Sequence, residues 1–317
     1  MDRQEFQDLT GQDVTPSEIL SLATSLRQGF DPAKAQALVA SLAHAAFAAP
    51  WRVVDTYDAA ATGWLGDFAA PDLDLSPARA EPSVVSADLW CAFWALIEGT
   101  GKGRSALEFT AETAALSQHL APTFLPASVA VSLHDPGVRE AAALGYPPHI
   151  TLQELAACST GSIGRVFHDL LVENGFDIEV LDRDALGLRD LPSPLDYLNA
   201  RILQCHDLWH IAAGYETTGL HEIGISAFQL AQFGHAYSAM VLAVTLTLAA
   251  REPMQFEIMM TLILSAWRHG RQAPALIGVD WPNLWNDPVE GVRSRLGLSG
   301  FESPYPPALF EMLQAAA

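Results

Sequence analysis

A chain of 317 residues, half of them apolar and 17% charged, has a foldable composition that excludes disorder as the dominant state and allows one large domain or two ordinary ones. With 37 acidic residues against 17 basic ones, a formal charge of −20, it is no binder of phosphate backbones, because nucleic-acid affinity comes from Lys and Arg displacing counterions. Three cysteines (Cys91, Cys158 and Cys205), far apart and without a CxxC pair, exclude a disulfide framework and read as a reducing compartment.

The N-terminal run MDRQEFQDLTGQD has acids and amides where a secretory leader needs a basic start and an apolar stretch, and it lacks the Arg-rich pattern of a transit peptide. The expected location is the bacterial cytoplasm, with peripheral attachment to the inner membrane once the substrate class below is considered. Two Ala/Leu-rich segments, Ser17 to Gln28 and Pro32 to Ala48, read as helices, and the Pro/Asp/Gly/Ala-rich stretch from about Asp67 to Pro82 as a linker. A boundary near residue 85 therefore divides an N-terminal helical extension (1–85) from a main domain (86–317). Helical patterns resume at Ala87 to Glu98, Ala106 to His119 and Gly161 to Asn174, the last closed by Gly175. Strand-period alternation never exceeds about five residues, so the class is all-α. From Ile223 to Ala250 there is no Asp, Glu, Lys or Arg. Its length suits a membrane span, but Ser226, Gln229, Gln232, His235, Tyr237 and Ser238 interrupt it, and a buried helix, or one lining an apolar cavity, is preferred. A second apolar run, Ile258 to Trp267, follows the turn at Arg251, Glu252 and Pro253.

The chemistry concentrates in Cys205-His206-Asp207-Leu208-Trp209-His210. On a helix, steps of about 100° per residue put His206, Asp207 and His210 within one arc. Two imidazoles four residues apart chelate a divalent cation well, and carboxylates complete the shell while offsetting its charge. Gly214 and Thr217-Thr218-Gly219 then break the helix, and Glu222 falls in the first turn of the next, able to return to the same space. The competing reading is a satisfied polar contact between two helices, with the acid favoured by the helix dipole.

Other candidates are weaker. Asp182, Asp184 and Gly187 echo a calcium loop without its bidentate Glu, and His168-Asp169 suits a surface helix. The segment from Gly99 to Ser105 lacks P-loop spacing and reads as a helix connector. Trp267-Arg268-His269-Gly270-Arg271 ends an apolar helix with cations, as helix C-termini prefer. Arg268 and Arg271 could instead hold a ligand's carboxylate, and His235 could sit near the metal as an acid/base or supporting group.

The HDxxH motif with Glu222 after an eleven-residue spacer, the upstream Thr160-Gly161-Ser162-Ile163-Gly164-Arg165, the helix end Val172-Glu173-Asn174-Gly175 and the downstream Gly270-Arg271-Gln272-Ala273-Pro274 together resemble the Coq-four family of ubiquinone (coenzyme Q) biosynthesis proteins. The resemblance covers residues from about 87 to 300. Residues 1–85 have no counterpart in it, and His134-Asp135-Pro136-Gly137-Val138-Arg139 matches the family's DPxGR segment only loosely.

What the resemblance implies is a multi-helix fold with a divalent ion (zinc, iron, manganese or magnesium) on His206, Asp207, His210 and Glu222, beside a hydrophobic cavity for a polyprenyl tail. The implied activity is metal-dependent oxidative decarboxylation of a prenylated aromatic precursor, its ring carboxyl replaced by hydroxyl, with those four residues catalytic and Arg268, Arg271 and His235 contacting substrate. The alternative is a non-catalytic isoprenoid-lipid scaffold for other ubiquinone-biosynthesis proteins. Peripheral membrane contact and a homo-oligomeric state complete the expectation.

Overall fold

The computed structural model describes residues 2–99, 106–179 and 181–315. It is all-α: among the described residues there are sixteen α-helices and no strand beyond an isolated bridge between Ser162 and Pro288. The glycine-rich connector expected at 99–105 lies, from residue 100 onward, outside the described residues.

The chain divides into two compact units. The first comprises Met1–His134, Ser226–Arg271 and Ser303–Tyr305. It holds α1 (Arg3–Thr10), α2 (Pro16–Gln28), α3 (Pro32–Phe47), α4 (Val53–Leu65), α5 (Ala87–Gly99), α6 (Ala106–Ala115) and α7 (Phe124–His134). The second comprises Asp135–Ile225, Gln272–Glu302 and Pro306–Ala317. It begins with α8 (Pro136–Ala142), α9 (Leu152–Ala156), α10 (Ile163–Asn174) and α11 (Leu195–Ala213). The division falls within α12 (Gly219–Phe233). The chain then adds α13 (Ala236–Ala249) and nearly all of α14 (Pro253–Gln272) to the first unit, and α15 (Val289–Leu296) and α16 (Leu309–Ala315) to the second.

In the first unit the helix starts are written locally. Asp2, Thr15 and Asp31 cap α1, α2 and α3 through side-chain oxygens, and Thr15 with Glu18 forms a full capping box. The Ala-rich α3 is buried along most of its length and is met by α1, α2, α4 and α13. Small residues let neighbours approach closely. At Gly63 of α4 a Cβ would lie 2.4 Å from the Leu20 carbonyl of α2. Asp58 on α4 accepts from Trp267 Nε1 (2.7 Å) and pairs with Arg271 on α14, while Tyr57 stacks on Trp267 with ring centroids 4.8 Å apart.

The uncharged stretch from Ile223 to Ala250 is two helices rather than one long one. Gly234, at φ +63°, turns the chain in the left-handed region where side chains are disfavoured. α13 is buried at eleven of its fourteen positions, so its apolar run is core; each Val, Leu or Met enclosed there is worth about 1.5–3 kcal/mol over exposure. Among the described residues no helix is long and apolar enough to cross a membrane.

The boundary expected near residue 85 falls inside the first unit. Ser83 and Ser86 are tied there from both sides, since Ser83 N–H donates to the Ala48 carbonyl and Ser86 Oγ donates to the His119 carbonyl. Contacts between segments far apart in sequence, which composition does not report, define the unit.

In the second unit Ser162 caps α10 and Gly175, at φ +68°, ends it. Gly164 faces Cys158 and Trp285 so closely that a Cβ would meet Sγ at 2.7 Å. The nineteen-residue α11 is anchored at its first half: Tyr197 Oη and Arg201 Nε both donate to the Ile277 carbonyl, and Arg201 Nη1 donates to Gln204 (2.6 Å). Asp182, in the segment that echoes a calcium loop, accepts from the N–H groups of Asp184 and Ala185, which makes it a turn residue.

Candidate metal centre

Both helices that carry the chemistry meet within the second unit. His206 and His210 lie four residues apart on α11, with ring centroids 5.0 Å apart, and Glu222 sits in the first turn of α12. His210 Nε2 is 3.4 Å from Glu222 Oε1 and His206 Nε2 is 3.7 Å from Oε2. One ligand atom from each of the three residues falls within 4.8 Å of the others. The connection is short because Gly214, at φ +80°, reverses the chain, and the Thr218 carbonyl accepts the Glu222 N–H to begin α12.

Hydrogen bonds decide which nitrogen of each ring is available. Asp207 Oδ1 lies 3.2 Å from His206 Nδ1, and an ionised carboxylate only accepts, so Nδ1 carries the proton and Nε2 presents its lone pair to Glu222. The Tyr215 carbonyl does the same for His210, accepting from Nδ1 at 3.3 Å. His210 is almost fully buried, and its Nε2 faces Glu222 Oε1 at 3.4 Å. Two lone pairs and a carboxylate facing one another call for a positive charge between them. This donor set, two imidazoles and one carboxylate, therefore fits a divalent cation.

The electrostatics agree. Burial pushes the His206 imidazole down, but the Asp207 contact and the charges of Glu222 and Asp207 outweigh it and hold the group above its ordinary value. Burial pushes the Glu222 carboxyl up, yet His210, then His206 and His221, bring it below the usual carboxylate range. The negative charge of Glu222 and Asp207 that raises His206 is the field a cation would meet.

Asp207 does not converge with the other three. Adjacent residues on a helix are about 100° apart, and its carboxylate reaches the far nitrogen of His206 rather than the space Glu222 faces. The remaining predicted residues lie in the first unit with partners there. His235 precedes α13 instead of continuing a long helix, its Nδ1 2.9 Å from Ser238 Oγ. Arg271 meets Asp58 through Nε and Nη2 and donates from Nη2 to the Pro71 carbonyl, while Arg268 pairs with Asp67 at 3.1 Å. The chain's own carboxylates occupy both guanidinium groups.

Sequence reasoning missed His221, which is buried beside the cluster and accepts the Glu216 N–H at Nδ1 (2.8 Å). It also missed Phe301, stacked on Tyr215 with centroids 4.4 Å apart, and Arg293, whose guanidinium reaches the end of α11. The only sequence signal near these contacts is Gly214, a helix-ending glycine where close approach is needed.

Residues 147–302 match the family described as coenzyme Q (ubiquinone) biosynthesis protein Coq4. Over this stretch the chain carries the Coq4 pattern. All three converging residues fall within the Coq4 segment, and the match starts at residue 147 rather than near 87. Similar proteins include the "Ubiquinone biosynthesis protein coq4, mitochondrial" of Sclerotinia sclerotiorum, 25% identical over 151 residues, 47% of this chain and 51% of that one. The COQ4 protein of Eremothecium gossypii is 28% identical over 156 residues, 48% and 46% of the two chains, and that of Phaeosphaeria nodorum 27% identical over 121 residues, 38% and 39%. The chain thus spans about half the length of the curated relatives it matches. A crystal structure from Nostoc punctiforme, provisionally named for ubiquinone biosynthesis, aligns at TM-score 0.49 and 23% identity, over 68% of this chain and 99% of that one.

These Coq4 relatives correct one expectation. All three are named as mitochondrial proteins, which overturns the bacterial cytoplasm and inner membrane expected above. An acidic, amide-rich N-terminal run reports charge and foldability, not address.

Proposed function

We propose that this chain acts in ubiquinone biosynthesis as a metal-dependent oxidative decarboxylase, with a divalent cation held by His206, His210 and Glu222 next to the head group of a prenylated aromatic acid. The observation that carries the reading is the shape of the cluster: three converging donors, one of which, the Glu222 side chain, is 48% exposed. A structural ion is enclosed by a full set of protein ligands, whereas a catalytic one keeps a position open to substrate. Three donors with a solvent-facing side fit the second kind.

When bound, such a cation supplies Lewis-acid polarisation of a carboxylate or phenolate oxygen. The chain's own residues prepare that position. Asp207 and the Tyr215 carbonyl hold the Nδ1 protons, so both rings present Nε2 in the same direction. One carboxylate against a dication leaves a net positive site, suited to an anionic oxygen. Replacing a ring carboxyl by hydroxyl releases carbon dioxide and consumes an oxidant that furnishes the oxygen, and this requirement favours iron or manganese over zinc or magnesium. A prenylated substrate partitions into lipid, so the chain would meet it peripherally at a membrane surface, alongside other proteins of the pathway.

The test is product formation in cells whose own activity of this kind has been deleted. His210→Ala and Glu222→Ala should each lose the co-purifying metal and accumulate the prenylated carboxylate precursor, with helix content unchanged by circular dichroism. If the metal-free variants restore ubiquinone to wild-type levels, the enzyme reading fails, and a lipid-binding scaffold takes its place.

A further inference from the structure

The last four carbonyls of a helix have no partner within it and must find one elsewhere. At the C-terminus of α11, three residues beyond the HDxxH motif's end, all four are taken. The His210 carbonyl accepts from the N–H groups of Gly214 (3.0 Å) and Tyr215 (2.9 Å). The Ile211 and Ala212 carbonyls accept from Nη2 and Nε of Arg293, each at 2.9 Å, and the Ala213 carbonyl accepts from the Phe301 N–H at 2.8 Å. Three of these four contacts, counting by carbonyl, thus come from residues 80 or more positions away.

The start of α12 is held from the same part of the sequence. Thr218 Oγ1 donates to the Pro307 carbonyl (2.8 Å), and the Gly219 N–H donates to Glu311 Oε1 (3.4 Å). The Phe301 ring stacks on Tyr215, whose carbonyl holds the His210 Nδ1 proton. Gly214 must be glycine for this to fit, since a Cβ there would lie 3.0 Å from the Phe301 nitrogen and 3.3 Å from Arg293 Nη2.

Both ends of the short connection between the two ligand-bearing helices are therefore gripped by residues 293–311. We propose that Arg293, Phe301 and Glu311 are positioning residues for the metal centre, fixing where α11 ends and α12 begins and so the separation of His206 and His210 from Glu222. The inference rests on the metal reading above. Pro307 and Glu311 lie past the end of the Coq4 match at residue 302, so part of this clamp belongs to the chain's own C-terminal segment.

Cobalt(II) is the probe, added alone to the metal-stripped full chain at a temperature where every variant is folded by circular dichroism. Arg293→Met should weaken cobalt binding at least tenfold and shift the visible d–d bands of the bound ion. Arg293→Lys, which can reach one carbonyl but not two, should recover part of the affinity. Glu311→Ala, at an exposed position, should weaken binding several-fold and keeps the proposal testable if Arg293→Met does not fold. Glu290→Ala, which removes only the outward partner of Arg293, should bind cobalt as the wild type does. A merely structural role would lower thermal stability and leave the affinity and spectrum unchanged, and that result would overturn the proposal. Wild-type protein that takes up no cobalt would sink the metal reading itself and this inference with it; wild-type binding with unaltered Arg293→Met and Glu311→Ala binding would sink this inference alone.

Discussion

At the residue scale, Asp207 separates what a motif lists from what a structure does. A carboxylate beside a histidine can bind the same ion or orient the ring, and its 3.2 Å contact with His206 Nδ1 assigns the second task. Removing such an orienting carboxylate typically costs about 10–100-fold in metal affinity. Asp207→Ala is expected to fall in that range in a cobalt titration, with the d–d spectrum of the bound ion retained. A direct ligand would behave otherwise, changing the spectrum as His210→Ala should. The histidine pair itself was legible in the sequence because four-residue spacing is a local property of the helix. Glu222 was legible for a related reason, since a short glycine-containing break allows few ways back. Arg293 was not, because the contact it makes joins residues 82 and 81 positions apart.

At the scale of elements, close helix packing reverses an ordinary propensity. Glycine inside an exposed helix costs about 1 kcal/mol relative to alanine, so Gly→Ala there is stabilising. In α4 the added methyl of Gly63→Ala would stand 2.4 Å from the Leu20 carbonyl and 3.0 Å from the Ala23 Cβ, and backbone must move. The substitution is expected to destabilise the protein by about 1–3 kcal/mol, read from the midpoint of urea unfolding. Unchanged or raised stability would mean that α2 and α4 are farther apart. The capped helices α2, α3 and α10 were readable from sequence, and the end of α11 from Gly214. The short ones, α1, α8, α9, α15 and α16, were not, because fewer than three turns show little periodicity and such helices depend on tertiary support. α7 lacks a distinct apolar face despite its three turns, with apolar residues distributed around it.

At the scale of the whole molecule, a chain with a formal charge of −20 responds to acid through two opposed effects. Protonating carboxylates relieves self-repulsion, while buried neutral histidines resist gaining charge. His44 is the clearest of the latter. Burial pushes its imidazole below the ordinary 6.5 and Arg52 adds to the lowering, outweighing the opposing hydrogen bond from Nδ1 to the Thr10 carbonyl at 2.7 Å. With the folded pKa depressed, the unfolded chain takes up the proton first, so this group costs stability as pH falls below about 6.5, until the folded form is protonated too. One such group gives a slope of at most about 1.4 kcal/mol per pH unit. The stability advantage of wild type over His44→Gln should therefore shrink between pH 7.5 and pH 5.5, measured by paired urea titrations. An advantage that stays constant across that range would show that His44 is not held neutral. Comparing the two proteins cancels His206, whose raised pKa acts with the opposite sign.

The amino-acid sequence alone determined the all-α class, the C-terminal stop of α10 at Gly175 and the spacing of the two histidines, because each depends on atoms within a few residues of one another. Only the tertiary structure decided that Glu222 completes the cluster while Asp207 stands behind it, that Arg271 is engaged by Asp58, and that the far end of the chain closes the carbonyls of α11. These outcomes depend on which surfaces meet after the helices pack, and that is set by the sum of many weak apolar contacts rather than by any local pattern.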